Sequence, residues 1–301
     1  MEFLEAGRSQ RILTDDTIVS TLASLIQACR LLSIPLLFMA CQENGPPPQT
    51  QAYPYSSATT TGGCESGARP GQAGISDGDE SPNGLRYHVR TPSNYDATFA
   101  HPLLMVYAAA GHDGRASERM TGLTPMATGA GFIVAYVDHQ PLGISTVEQL
   151  GTVPDMIAET WCIDRSRVFV TGHSDGGTAS LALAVLDRTK HLPAAIAPSA
   201  AGWTGKDLEA YQCRDPIPVM VMHGKNDRLF PGWGAQSAAW WASCNHCDVT
   251  KTVEIEGGCV AYRNCAAGGA TLYCEGAGGH REWPSVNRVL IEFFTHPEKF
   301  L

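Results

Sequence analysis

From Cys64 onward the chain alternates short apolar runs with stretches whose apolar residues recur at helical spacing. The runs Leu85 to Arg90, Leu103 to Tyr107, Phe132 to Val137, Val168 to Thr171, Ala194 to Ala197, Val219 to His223 and Ala270 to Cys274 predict strands. Several are continuous rather than alternating, as strands covered on both faces must be. Helical patterns span Thr146 to Trp161, Gly177 to Asp187, Gln236 to Cys244 and Ser285 to Thr295, with Gly151 and Pro154 interrupting the first. Strand and helix in alternation predict an α/β chain with a mostly parallel sheet flanked by helices. Ligands of such sheets bind beyond the carboxyl ends of the strands.

The pattern changes before Cys64. Arg30 precedes the apolar run LLSIPLLFMA, which has the length of a signal-peptide core and is too short to cross a bilayer as a helix. It ends in Phe38-Met39-Ala40-Cys41, similar to the box that precedes a lipidated cysteine in bacterial lipoproteins, with Phe38 where Leu is usual. The acidic Glu2, Glu5, Asp15 and Asp16 are out of character for a leader and suggest a start further downstream. From Gln42 to Gly63 there are almost no aliphatic residues and many Pro, Ser and Thr, too little apolar surface to fold. The expected division is a leader over 1–40, a tether over 41–63 and one catalytic domain over 64–301. The protein is expected to be exported, with membrane attachment through a lipidated Cys41 and plain secretion both open.

Composition agrees with export. The chain has 301 residues, 44% hydrophobic and 17% charged, which suits one sizeable domain. A net charge of −9 without a long basic run speaks against nucleic acid as a partner. Ten cysteines suit an oxidising compartment. Setting aside Cys29 and Cys41 leaves an even set able to pair completely, in about 105 ways that sequence does not separate. Cys244-x-x-Cys247 with His246 admits a zinc reading, but disulfides are the simpler expectation, so no metal and no other cofactor are expected. A monomer is expected.

The pattern Gly-x-Ser-x-Gly occurs twice. Gly74-Ile75-Ser76-Asp77-Gly78 has no apolar strand before it and reads as a loop. Gly172-His173-Ser174-Asp175-Gly176 follows RVFVT and precedes GTASLALAVLD, so Ser174 falls at a sharp strand-to-helix turn that exposes its hydroxyl as a nucleophile. A serine hydroxyl needs a base held in the correct tautomer by a carboxylate, and chain order in this arrangement runs Ser, acid, His. His280, in a glycine-rich loop after the last strand candidate, is the expected base. Asp227 follows the run PVMVMH and is the expected acid, whereas Asp215 precedes that run and would emerge at the opposite end of the sheet. For the oxyanion, backbone N–H donors are expected from Asp175 and from the loop after Tyr107, with Ala110 the favoured position. Trp283 is a candidate lining residue of the acyl pocket, with a core role as the alternative.

Taken together these motifs resemble the feruloyl esterase and polyhydroxybutyrate depolymerase-like esterases. The resemblance is carried by Cys162-Ile163-Asp164 leading into RVFVTGHSDGG, VMVMHGKNDRLFP around Asp227, Asn245-His246-Cys247, Gly258-Cys259, and Tyr273-Cys274-Glu275 leading to Gly279-His280. It implies an α/β-hydrolase fold, secretion, no cofactor, and hydrolysis of esters on plant-wall polysaccharides or of polyesters. The chain departs from that pattern at Ala108-Ala109, where His-Gly is usual, and in a shorter segment after Val137. Two other readings remain open from sequence: a serine peptidase or amidase on the same fold, and a non-catalytic ligand-binding lipoprotein that retains it.

Overall fold

The structure is a computed structural model that describes residues 63–301. The leader 1–40, the lipid-anchor position Cys41 and the tether 41–63, apart from its last residue, lie outside the described residues. Among the described residues no helix is long and apolar enough to cross a membrane.

The strands are β1 (Ile75–Glu80), β2 (Arg86–Arg90), β3 (His101–Tyr107), β4 (Ile133–Val137), β5 (Ile163–His173), β6 (Ala195–Ser199), β7 (Val219–Gly224), β8 (Asp248–Ile255), β9 (Cys259–Arg263) and β10 (Thr271–Gly276). The helices are α1 (Gly114–Thr121), α2 (Thr124–Gly129), α3 (Ile144–Leu150), α4 (Val153–Thr160), α5 (Asp175–Val185), α6 (Gly205–Leu208), α7 (Trp233–Cys244) and α8 (Asn287–Thr295). All strands join one sheet in the order β1-β2-β4-β3-β5-β6-β7-β10-β9-β8. From β4 to β10 neighbours run parallel, and the pairs at both margins, β1 with β2 and β8 with β9, are antiparallel.

Period-2 alternation in the buried strands feeds two cores. Leu103, Met105 and Tyr107 of β3 pack on one face with Ile157 of α4, Leu181 of α5 and Trp241 of α7, while Leu104 and Val106 pack on the other with Ala127 of α2 and Phe293 of α8. Helix α5 is buried from Gly176 to Val185, so it has no polar face. The chain passes from β3 to β4 on one side and then to β5 on the other. That reversal places a crevice at the carboxyl ends of β3 and β5.

Two expectations are corrected. Ile75–Glu80 is a strand and not a loop: it is an edge strand, largely exposed, whose pairing with β2 uses backbone groups and leaves no apolar signature in its sequence. The helix expected over 146–161 is two, because Pro154 has no N–H to continue the ladder and instead sits in the first turn of α4, after a break at Gly151-Thr152. The exposed margin strand β8 and the short helices α1, α2 and α6 escape the sequence pattern for the same reason as β1, that they bury few side chains, whereas β9, CVAYR, buries Cys259 and Ala261 but is only five residues long.

All eight cysteines from Cys64 on form disulfides, pairing Cys64 with Cys162, Cys213 with Cys244, Cys247 with Cys265 and Cys259 with Cys274. Cys244 and Cys247 take different partners, which removes both thiolates a zinc ion would need.

Candidate active site

Strand β5 delivers Ser174 to the crevice. The residue has φ 55° and ψ −115°, a positive-φ conformation that a non-glycine residue holds only where its surroundings enforce it. Its N–H donates to Ser199 O at 2.9 Å, tying the turn to β6. The flanking glycines permit the turn by close approach: a Cβ on Gly176 would fall on the Tyr107 carbonyl oxygen, and one on Gly172 would strike the Gly176 carbonyl group. Helix α5 therefore starts in backbone contact with β3.

The loops after β7 and β10 bring the other two residues. Their backbones are stitched together, with Lys225 N–H donating to Gly276 O at 2.7 Å and Asn226 N–H to Gly278 O at 3.0 Å. Ser174 Oγ lies 2.9 Å from His280 Nε2, and His280 Nδ1 lies 2.8 Å from Asp227 Oδ2. The other carboxylate oxygen, Asp227 Oδ1, accepts the N–H groups of Leu229 at 2.8 Å and Phe230 at 2.9 Å. Burial pushes the Asp227 pKa up, but the Phe230 and Leu229 amides and His280 outweigh it, and the carboxyl stays below its usual range. An ionised carboxylate only accepts, so Nδ1 of His280 carries the proton and Nε2 is left to accept from the serine hydroxyl. Phe230 sets its ring edge-to-face with the imidazole at 4.7 Å. Asp215 lies ahead of β7, at the far end of the strand.

Three further histidines surround this chain, and sequence reading assigned a role to none of them. His173 is buried, with Nδ1 3.0 Å from Ser199 Oγ and Nε2 2.5 Å from the His280 carbonyl oxygen. A carbonyl requires a donor, so Nε2 is protonated and Nδ1 accepts from Ser199. Burial drives its pKa down to about 4, so it is neutral at ordinary pH and buttresses the loop that carries His280. His223 of β7 lies 3.7 Å from Asp227 Oδ2, and burial pushes its pKa down as well. His139, just past β4, has Nε2 2.9 Å from Asp175 Oδ2. The available signal was position: His139 and His223 each follow or end a strand at the carboxyl edge, and His173 lies inside the serine motif.

The N–H groups flanking Ala110 are held in structural bonds. Ala108 N–H donates to Val137 O at 3.2 Å, and His112 N–H closes a turn on Ala109 O at 3.0 Å, which leaves Ala110 exposed at its tip beside Gly111, whose φ is 75°. Asp175 opens α5, where the first N–H groups have no intrahelical partner. A small cavity beside Ser174 is lined by Tyr107, Ala108, His139, Leu142, Asp175 and Gly176 among others. Trp283 does not line it. Its indole N–H donates to Asn287 Oδ1 at 2.7 Å, and its partly buried ring packs against the α8 side of the core with the His173 ring 6.2 Å away.

No family model matches the chain. Its sequence is similar to the probable feruloyl esterase C of Aspergillus oryzae, at 27% identity over 206 residues, 65% of this chain and 74% of the relative. Its structure is similar to the acetyl xylan esterase from Aspergillus awamori, with a TM-score of 0.55 at 17% identity over 74% of this chain and 99% of the other. It is also similar to the feruloyl esterase module from Clostridium thermocellum, solved in complex with sinapinate, with a TM-score of 0.55 at 14% identity over 81% and 95%. The fold is the α/β-hydrolase fold.

Proposed function

We propose that this chain is a serine carboxylic ester hydrolase that works through an acyl-enzyme on Ser174, with feruloyl or acetyl esters of plant polysaccharides as substrates. The observation that carries the reading is the unbroken hydrogen-bond chain from Ser174 Oγ through His280 to the buried Asp227. His280 Nε2 takes the hydroxyl proton as Oγ attacks the ester carbonyl, and the negative charge on the carbonyl oxygen is met by the N–H groups of Asp175 and Ala110. His280 then protonates the departing alcohol, and water, activated by the same imidazole, releases the acid. Asp227 keeps Nδ1–H fixed and stabilises the imidazolium. The polysaccharide-ester substrates are inferred from the feruloyl esterase name of the sequence relative.

The four disulfides support maturation in an oxidising compartment and so an exported enzyme, with lipid attachment at Cys41 as the proposed anchor. The test is hydrolysis of 4-nitrophenyl acetate and butyrate by the purified protein beside Ser174→Ala and His280→Ala, followed by methyl ferulate, acetylated xylan and a polyester film. Turnover lost in both variants is expected. A folded wild type as inert as its variants overturns the reading in favour of a binding protein, with Ala108-Ala109 the first suspect.

A further inference from the structure

The residue that follows the nucleophile carries a difficulty of its own. In the proposed site the N–H of Asp175 faces the oxyanion, yet its side chain is a carboxylate, an ordinary and favourable residue for the first turn of a helix but a like charge beside the oxygen that becomes negative. The Asp175 side chain is one-third exposed, so packing alone does not immobilise it. Its Oδ2 instead accepts Nε2–H of His139 at 2.9 Å. The backbone of His139 is fixed in turn, since its N–H donates to His112 O at 3.2 Å, and Gly114 N–H donates to the neighbouring Asp138 Oδ1 at 2.7 Å. The segment after β4 thus grips both the loop after β3 and the start of α5. Both members of the pair line the cavity shared with Tyr107, Ala108 and Gly176, beside the nucleophile.

We infer that His139 is a positioning residue for the oxyanion site: its Nε2–H holds the Asp175 carboxylate away from the developing negative charge, while its backbone anchors the loop that contains Ala110. The inference rests on the ester hydrolase reading. It also accounts for a charged residue at a place in the motif where any small or polar side chain would serve the turn.

The test measures kcat and KM for 4-nitrophenyl acetate with the full chain, for His139→Ala, His139→Gln and the double variant His139→Ala with Asp175→Asn, with thermal unfolding as the check on fold. His139→Ala is expected to lower kcat roughly tenfold with little change in KM, since only the charged transition state feels the loosened carboxylate. Neutralising Asp175 in that background is expected to restore most of the loss, and His139→Gln, which keeps an N–H donor, to retain more activity than His139→Ala. Should His139→Ala fail to fold, His139→Asn, too short to reach Asp175, takes its place. A loss that persists undiminished in the double variant, or a His139→Ala enzyme equal to wild type, overturns the inference while leaving the hydrolase reading intact. A wild type without Ser174-dependent turnover overturns both.

Discussion

Asp227→Asn is the substitution whose outcome the geometry fixes most tightly. Asn has the shape of Asp, so the test changes hydrogen-bond polarity and little else. One side of the group is already decided: Oδ1 accepts two backbone N–H groups, from Leu229 and Phe230. An Asn that turned its NH2 toward them would leave donors facing donors at a cost of about 1–3 kcal/mol for each unmet group. The amide oxygen therefore keeps that position, and the NH2 points at His280 Nδ1 in place of Oδ2, now 2.8 Å away. Nδ1 must then accept, the imidazole proton moves to Nε2, and Nε2 loses the lone pair that receives the serine proton. The fold should survive and kcat should fall about 1,000- to 10,000-fold, roughly 4–5.5 kcal/mol of transition-state stabilisation, with KM little changed. Steady-state kinetics on 4-nitrophenyl acetate, with nitrogen-detected NMR of the His280 tautomer, make the measurement. A folded variant retaining more than a tenth of the wild-type kcat would refute the assignment of Asp227 as the orienting acid.

Two further outcomes follow from the same neighbourhood. His173 is held neutral with its pKa lowered from 6.5 to about 4, so the unfolded chain binds more protons than the native one between those values, and stability present above pH 6.5 is lost as pH falls toward 4. Its share is about 3 kcal/mol across that window, and urea unfolding at pH 7 and pH 4.5 should show a shallower loss for His173→Gln than for wild type; parallel losses would contradict it. Gly176→Ala places a methyl group on the Tyr107 carbonyl with backbone on both sides, so neither partner yields cheaply, and a stability loss of about 1–3 kcal/mol with a large drop in turnover is expected from thermal unfolding and kinetics.

The parallel centre of the sheet was legible because its strands are buried on both faces and so are written as apolar runs, as in Leu103 to Tyr107. The margins were less so: β8 reads DVTKTVEI, rich in β-branched residues but exposed along most of its length, so no buried apolar run marks it. Ser174, Asp227 and His280 were legible through motif and chain order, and they meet in one hydrogen-bonded chain. His139 and His173 were not, because their partners are a side chain 36 residues away and a backbone carbonyl 107 residues away, separations that carry no local pattern. Trp283, which the sequence left open between pocket lining and a core role, stands partly buried between the two, its indole N–H on Asn287 and its ring 6.2 Å from that of His173.

The central claim is that Ser174 is an activated nucleophile. Incubation of the purified protein with a fluorophosphonate, followed by peptide mass spectrometry, tests it directly. The account predicts a single adduct on Ser174, absent from Ser174→Ala and formed far more slowly by His280→Ala. A folded wild type that stays unlabelled, or one labelled equally fast without His280, would contradict it.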